Sequence, residues 1–464
     1  MRISTRPDFQ GGGGTLGYWN LSGRLLNEGN FAALELRFDL LEPEPGGASA
    51  WTSLHARVEG GSVHNADAQD GSLSAFRMSQ LYAKAGNVLL PGVVWQVGTL
   101  DTWFGDLGLY DMRPAGIFDK TVGASARWRG ERAELLLGAG DSGYGLKGAE
   151  YNTVLTGGGT ARLRLGGHLE LGAGGEYRYE PKVPGNRYAP HQTPEMVDYE
   201  AWLRGEVVQS WLQEHPNQEL DFPDPVAVAA DSSKAIGYLG FGDAGPLRWN
   251  NLYASFERLH PDNFTTETYD GQDYTLYVKE LTDERTRLII GDELALRVVP
   301  DRMDLALAGL YGLHRDADNT IAPGDDNRMY RSLVLRVQTY LTPTLHLLVE
   351  SSIAQERSLN GNSYREHADS VFGSTDGQPD TDGLEYGDTD TRVTWQGKAG
   401  FVLNPLGPGI YSRPSLRLLY GVQQSNQNNA FGNSFVESLD QYDDFDAVEQ
   451  HTHQVVALEM EAWF

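Results

Sequence analysis

The sequence predicts an all-β chain, a transmembrane antiparallel β-barrel, on three observations. Apolar residues recur at every second position in short segments along the 464 residues, and turn-rich stretches of two sizes separate those segments. The final segment is an unbroken amphipathic strand that stops on Phe464.

Composition narrows the class. The chain has no cysteine, 55 glycines, 22 tyrosines, 10 tryptophans and a formal net charge of -27. Lack of cysteine removes disulfide frameworks, thiol nucleophiles and cysteine metal sites, and suits a protein that crosses the oxidising periplasm unfolded. The acidic balance argues against nucleic acid as a partner, because phosphate binding needs a basic surface. No linker or composition shift marks a boundary, so residues 1–464 read as a single barrel domain. No run approaches the roughly 18 apolar residues of a membrane-spanning helix. The opening Met1-Arg2-Ile3-Ser4-Thr5-Arg6 carries no apolar secretory core, so an exported protein would be present here as a mature or trimmed chain. Membrane crossing then rests on strands.

Those strands are readable in order. Leu34, Leu36, Phe38 and Leu40 oppose Glu35, Arg37 and Asp39; Leu54, Ala56 and Val58 oppose His55 and Arg57; Val93, Trp95 and Val97 oppose Gln96. Leu163 and Leu165 oppose Arg162 and Arg164, and Leu294, Leu296 and Val298 oppose Glu293 and Arg297. Leu333, Leu335 and Val337 then oppose Arg336, Gln338 and Tyr340, while Leu345, Leu347 and Val349 oppose His346 and Glu350. Helical spacing explains none of these as well. Leu341-Thr342-Pro343-Thr344-Leu345 is a short turn, whereas Tyr179 to Tyr199, Arg315 to Arg328, Arg357 to Asp390 and Ser425 to His451 are long stretches rich in Asp, Asn, Gly or Pro. Short periplasmic turns alternating with long external loops give that pattern.

A soluble β-sandwich also alternates, since charges opposite an apolar face suit plain solvent equally well. The end of the chain discriminates. Val456, Leu458, Met460, Ala462 and Phe464 form one face and Ala457, Glu459, Glu461 and Trp463 the other. Outer-membrane barrels usually finish on such a strand.

Glu459-Met460-Glu461-Ala462-Trp463-Phe464 resembles the closing segment of the maltoporins, a family of sugar-selective porins. Tyr411-Ser412-Arg413-Pro414-Ser415-Leu416-Arg417 is similar to that family's aromatic-Ser-Arg-Pro entry to a late strand, and Leu341-Thr342-Pro343 to the turn before it. Gly23-Arg24-Leu25-Leu26-Asn27-Glu28, followed by Glu35-Leu36-Arg37, resembles the opening of the second strand. Ala75-Phe76-Arg77, Leu90-Pro91-Gly92, Trp95 and Gly98 fall in the same order, so the resemblance runs from Gly23 to Phe464 at low identity. It implies 18 strands, the first only partly present, with an inward-folded constriction loop over residues 99–121. It also implies a homotrimer in the bacterial outer membrane, in contact with its lipid and lipopolysaccharide, and a carbohydrate as solute.

Sugars present apolar C–H faces and a rim of hydroxyls, so a pore favours them by pairing aromatic platforms with charged hydrogen-bonding groups. By resemblance, Trp463 and Trp249 are such platforms and Phe31 is a substitute for a third, where Ala33 stands in place of the family's tyrosine. The alternation of Leu252, Ala254 and Phe256 independently turns Trp249 inward. Arg24, Glu35 and Arg77 match the polar track. The constriction would hold Trp103, Phe104, Asp106, Tyr110, Asp111 and Arg113; Phe104, Gly108 and Arg113 depart from the family's arginine, histidine and tyrosine. An arginine facing two carboxylates makes a cross-pore field.

The sequence predicts no enzyme and no cofactor. No Gly-x-Ser-x-Gly elbow occurs, and His451 and His453 beside Asp443, Asp444 and Asp446 read as a solvated loop before a metal site. Asp380-Thr381-Asp382-Gly383-Leu384-Glu385 resembles part of a calcium loop without its full ligand series, which leaves loop-bound calcium as a weak alternative. Beside a sugar-selective porin, the alternatives are a general or cation-preferring porin and a barrel adhesin or enzyme.

Overall fold

A strand with one face in lipid must pair both its edges, because no water reaches its backbone there. The computed structural model meets that demand with one sheet of 18 antiparallel strands among the residues it describes. Those residues are 2–5, 20–42, 49–61, 76–143, 153–181, 230–259, 264–269, 272–277, 285–315, 328–358, 391–426 and 451–462.

The strands are β1 (Arg2–Thr5), β2 (Phe31–Leu41), β3 (Trp51–Gly61), β4 (Phe76–Gly86), β5 (Val93–Trp103), β6 (Gly116–Arg129) and β7 (Ala133–Asp141). They continue as β8 (Leu155–Leu165), β9 (Leu169–Glu180), β10 (Ala230–Ala244) and β11 (Leu247–Arg258). A separate hairpin of β12 (Phe264–Tyr269) and β13 (Gln272–Tyr277) intervenes. The sheet resumes with β14 (Thr286–Val299), β15 (Met303–Arg315), β16 (Arg328–Tyr340), β17 (Leu345–Ser358), β18 (Thr391–Leu403), β19 (Ser415–Ser425) and β20 (Thr452–Glu461). Each strand pairs with the next, β11 with β14 across the hairpin. β1 meets β20 over four residue pairs and β2 at one, Arg2 with Phe31, so the ladder returns to its start through its thinnest seam.

The alternation lands as expected. Leu34, Leu36, Phe38 and Leu40 on β2, Leu333 and Leu335 on β16, and Leu458 and Met460 on β20 are exposed on the outside. Their neighbours in sequence point inward, Arg336 and Glu459 being buried there. Exposed apolar side chains that recur on strand after strand make the outward band of a barrel built for lipid. The short turn at 341–344 joins β16 to β17, and the long stretches fall between strand ends.

One expectation fails. Gly23–Glu28 does not open the second strand: after a short 3-10 turn at Asn20–Ser22 it stays turn-like and buried, and β2 starts at Phe31. The reason is burial inside the barrel. Leu25 and Leu26 pack there against Leu348, Val402, Leu419, Val455 and Ala457, the inward side chains of β17 to β20. A second interior cluster gathers Leu107, Leu109, Tyr110, Ile117 and Phe118 against Ile236, Tyr253, Ala306, Ala308, Leu310, Tyr330 and Val334. Much of the lumen face of β14 to β20 is therefore covered by these two inward segments. On β2, by contrast, Glu35, Arg37 and Asp39 are exposed to the interior.

Candidate solute pathway and its constriction

The inward excursion leaves β5 at Trp103 and returns at Gly116, so the loop proper is 104–115, narrower than 99–121. Its base is closed by the Phe104 N–H donating to the Ala115 carbonyl at 3.1 Å. Its tip is pinched by the Leu107 N–H donating to the Met112 carbonyl at 2.8 Å, with Asp111 at a positive φ of 54° in the turn. Such a turn suits Asp, whose short polar side chain tolerates the left-handed region.

The tip reaches the opposite wall. Tyr110 is fully buried; its hydroxyl donates to the Ala308 carbonyl at 3.2 Å and accepts from Ser332 Oγ at 2.9 Å. The Leu109 N–H donates to Glu293 Oε2 at 2.9 Å, and the Tyr411 hydroxyl donates to Glu293 Oε1 at 2.6 Å. Burial, and next the Glu293 charge, hold the Tyr411 hydroxyl protonated well above the ordinary tyrosine range. Wall glycines make room: a Cβ on Gly291 would collide with the Leu107 side chain, and one on Gly172 would stand 2.7 Å from the Phe104 ring.

The segment 20–30 is pinned beside the loop. The Arg24 N–H donates to the Leu109 carbonyl at 2.8 Å, and its guanidinium bonds Glu28 at 3.2 Å and Glu461 at 3.0 Å. Burial opposes that charge, but Glu461 and then Asp111 outweigh it and raise the Arg24 pKa above its usual value. Lys398 Nζ donates to the Ser22 carbonyl at 2.8 Å and to Glu350 Oε1 at 2.9 Å, and Arg336 Nε donates to Glu350 Oε2 at 2.7 Å.

The open half carries interleaved charges. Arg57 bonds Glu35 and Glu59, each at 3.0 Å, and Arg77 approaches Glu59 at 3.5 Å. Arg129 meets Glu134 at 2.8 Å and Arg162 meets Glu170 at 3.0 Å. Trp103, Phe104, Arg127, Arg129, Glu134 and Arg162 line one pocket at the foot of the loop, and the Arg113 guanidinium lies 3.9 Å over the Trp103 ring. Asp101, Asp106 and Asp119 are exposed, and Asp101 lies within electrostatic reach of Arg113 and Asp119.

Of the predicted site residues, Trp103, Asp106, Asp111, Arg113, Glu35 and Arg77 all have some exposure. Arg24, Phe104 and Tyr110 are buried: Arg24 fastens the N-terminal segment, Phe104 stacks on Tyr238 with centroids 5.7 Å apart, and Tyr110 anchors the loop tip. Trp249 faces inward and packs at 6.1 Å against Tyr411, and Phe31 lies 6.0 Å from the Arg57 guanidinium. Trp463, the acidic segment holding Asp380 to Glu385, and Asp443 to Asp446 lie outside the described residues.

Sequence reasoning missed Glu293 as the junction of both inward segments and Glu350 as the bridge between Arg336 and Lys398. It also missed Ser53 Oγ, 2.9 Å from His55 Nε2 across one pleat of β3. Ser53 is 1% exposed, so a substrate has no approach to that oxygen. Among the described residues no three metal-type side chains group together.

No family model matches the chain, and no curated protein matches it. Among solved structures it is similar to OccK2 (OpdF) of Pseudomonas aeruginosa at 9% identity, over 92% of this chain and 90% of that one, with a TM-score of 0.41. It is similar to a BenF-like porin from Pseudomonas fluorescens Pf-5 at 9% identity, over 92% and 90%, with a TM-score of 0.40. It is similar to the outer membrane protein OprD of Pseudomonas aeruginosa at 10% identity, over 93% and 87%, with a TM-score of 0.38. None of these three is named a maltoporin. The barrel fold rests on the chain's own strand pairing, and the maltoporin resemblance on sequence motifs alone.

Proposed function

We propose that the chain is a passive diffusion channel of a bacterial outer membrane, with carbohydrates as its solute class. The observation that supports this most is the open half of the lumen, where Glu35, Arg57, Glu59 and Arg77 form one continuous series of paired charges facing a covered opposite wall. Alternating charges offer donors and acceptors at short spacing without a strong net field, which matches the hydroxyl rim of a neutral sugar. Phe31 beside Arg57, Trp103 under Arg113 and Trp249 beside Tyr411 are inward-facing aromatic side chains available to such a solute.

A second reading is a cation-preferring channel without sugar specificity. The exposed Asp101, Asp106 and Asp119 and the net charge of -27 favour it, because carboxylates lining a pore select cations. A homotrimer and contact with lipopolysaccharide belong to the proposal through the maltoporin resemblance. Single-channel recording in planar bilayers with a panel of oligosaccharides separates the readings. Sugars that interrupt the ion current support the first; a current indifferent to every sugar but cation-selective supports the second; absence of any conductance removes both.

A further inference from the structure

A carboxylate interrupts the lipid-facing band on β14. The outward residues of that strand read Leu288, Ile290, Asp292, Leu294, Leu296 and Val298, so Asp292 stands at mid-strand with apolar neighbours on both sides. Asn250 on β11, outward by the same parity as Leu252 and Phe256, donates from Nδ2 to Asp292 Oδ1 at 2.8 Å. Asp231 and Arg331, also outward and ionisable, lie within three residues of the loop ends of β10 and β16. Head groups and water reach those ends and do not reach the middle of β14.

Ionisable groups at membrane depth usually face protein or water, because lipid tails offer no hydrogen bonds. From the Asn250–Asp292 pair we infer that the outer face of β9, β10, β11 and β14 is where a second copy of this chain packs. The pair is self-complementary, as a two-fold contact requires, so this inference replaces the three-fold assembly that the maltoporin resemblance implies. Asn250 keeps one N–H and its amide oxygen beyond the bond to Asp292, and the carboxylate, which takes bonds from Asn250 and from the Glu293 backbone, keeps further acceptor lone pairs, so two copies brought together there can exchange hydrogen bonds between identical groups. The neighbouring surface permits the approach: Ala173, Gly237 and Ala254 stand side by side across β9 to β11, and Gly309 stands next to Asp292 on β15. Small outward residues let two membrane surfaces come close enough for short side chains to meet.

This inference rests on the reading of the chain as a bilayer-spanning barrel, and the test separates the two. The chain has no cysteine, so a single introduced thiol reports on one position. Asn250→Cys, purified full-length in detergent and reconstituted in lipid, is expected to form a disulfide-linked dimer on mild oxidation. Phe401→Cys, outward on β18, is expected to stay uncrosslinked. Because a cysteine at Asn250 can disturb the pair, an unlabelled Asp292→Leu/Asn250→Leu variant is run beside it. It should keep its channel conductance and heat-modifiable mobility while its oligomer shifts to monomer at least tenfold more readily in rising detergent. A conducting parent that is monomeric in lipid, crosslinking at Phe401→Cys but not Asn250→Cys, or a leucine variant with an unchanged oligomer each overturns the interface and leaves the channel standing. Crosslinking of Asn250→Cys in whole cells to a different protein alone also overturns it.

Discussion

Tyr411 donates its hydroxyl to Glu293 at 2.6 Å, and the same carboxylate takes the Leu109 N–H on its other oxygen. One side chain on β14 thus holds the constriction loop and the 404–414 turn together. Hydrogen bonds to a charged group contribute about 1.5–3 kcal/mol each. Tyr411→Phe should loosen the loop by an amount in that range, read as noisier open-channel current and easier thermal unfolding. If noise and stability match the parent, apolar packing alone holds the loop.

Gly291 lies under Leu107, where any side chain collides. Gly291→Val should push the loop off the far wall and change single-channel conductance, while Gly237→Val, with open space around its Cβ, should not. Equal conductance in the two variants would show that the loop does not set the pore width.

Arg113 is exposed and lies over Trp103, with the exposed Asp101 within electrostatic reach. Arg113→Ala should raise conductance and shift selectivity towards cations, because the Asp101 carboxylate loses its counter-charge. Reversal potentials at low salt measure the shift; at 1 M salt it should shrink as the Debye length falls to roughly 3 Å. A shift towards anions contradicts the assignment.

Trp249 packs against Tyr411 and faces inward. If it also serves as a sugar platform, Trp249→Ala should weaken sugar block several-fold at nearly unchanged open conductance, since an aromatic contact contributes about 0.5–1.5 kcal/mol beyond its buried area. Block equal to that of the parent would restrict Trp249 to a packing role.

Glu350 sits buried between Arg336 and Lys398. Removing one partner of a buried pair costs about 3–5 kcal/mol because the remaining charge is left uncompensated. Glu350→Ala should therefore be the most destabilising of these variants in thermal melts of the detergent-solubilised protein. A loss below about 1 kcal/mol, the scale of an exposed pair, would mean that water reaches the site.

The barrel was legible because period-two alternation is a local signal, and the outward residues from Leu34 to Leu40 or from Val456 to Met460 need no partner to be read. The interior was not legible to the same degree. Tyr110 reads as a pore-lining aromatic in sequence, yet its partners Ala308 and Ser332 lie about two hundred residues away, and no local pattern names them. A signal for the covered part of the wall was nonetheless present. Leu347-Leu348-Val349, Leu418-Leu419 and Val455-Val456-Ala457 are apolar on both faces, which is how strands buried on two sides read. Leu348, Leu419 and Val455 are the residues that receive Leu25 and Leu26.

The bond between Arg24 and Glu461 joins positions 437 apart. That bond exists only when β20 is in place, so the seat of the segment before β2 depends on the last strand of the sheet. Contacts of such sequence separation are slow to form, since the whole loop between them must first be ordered.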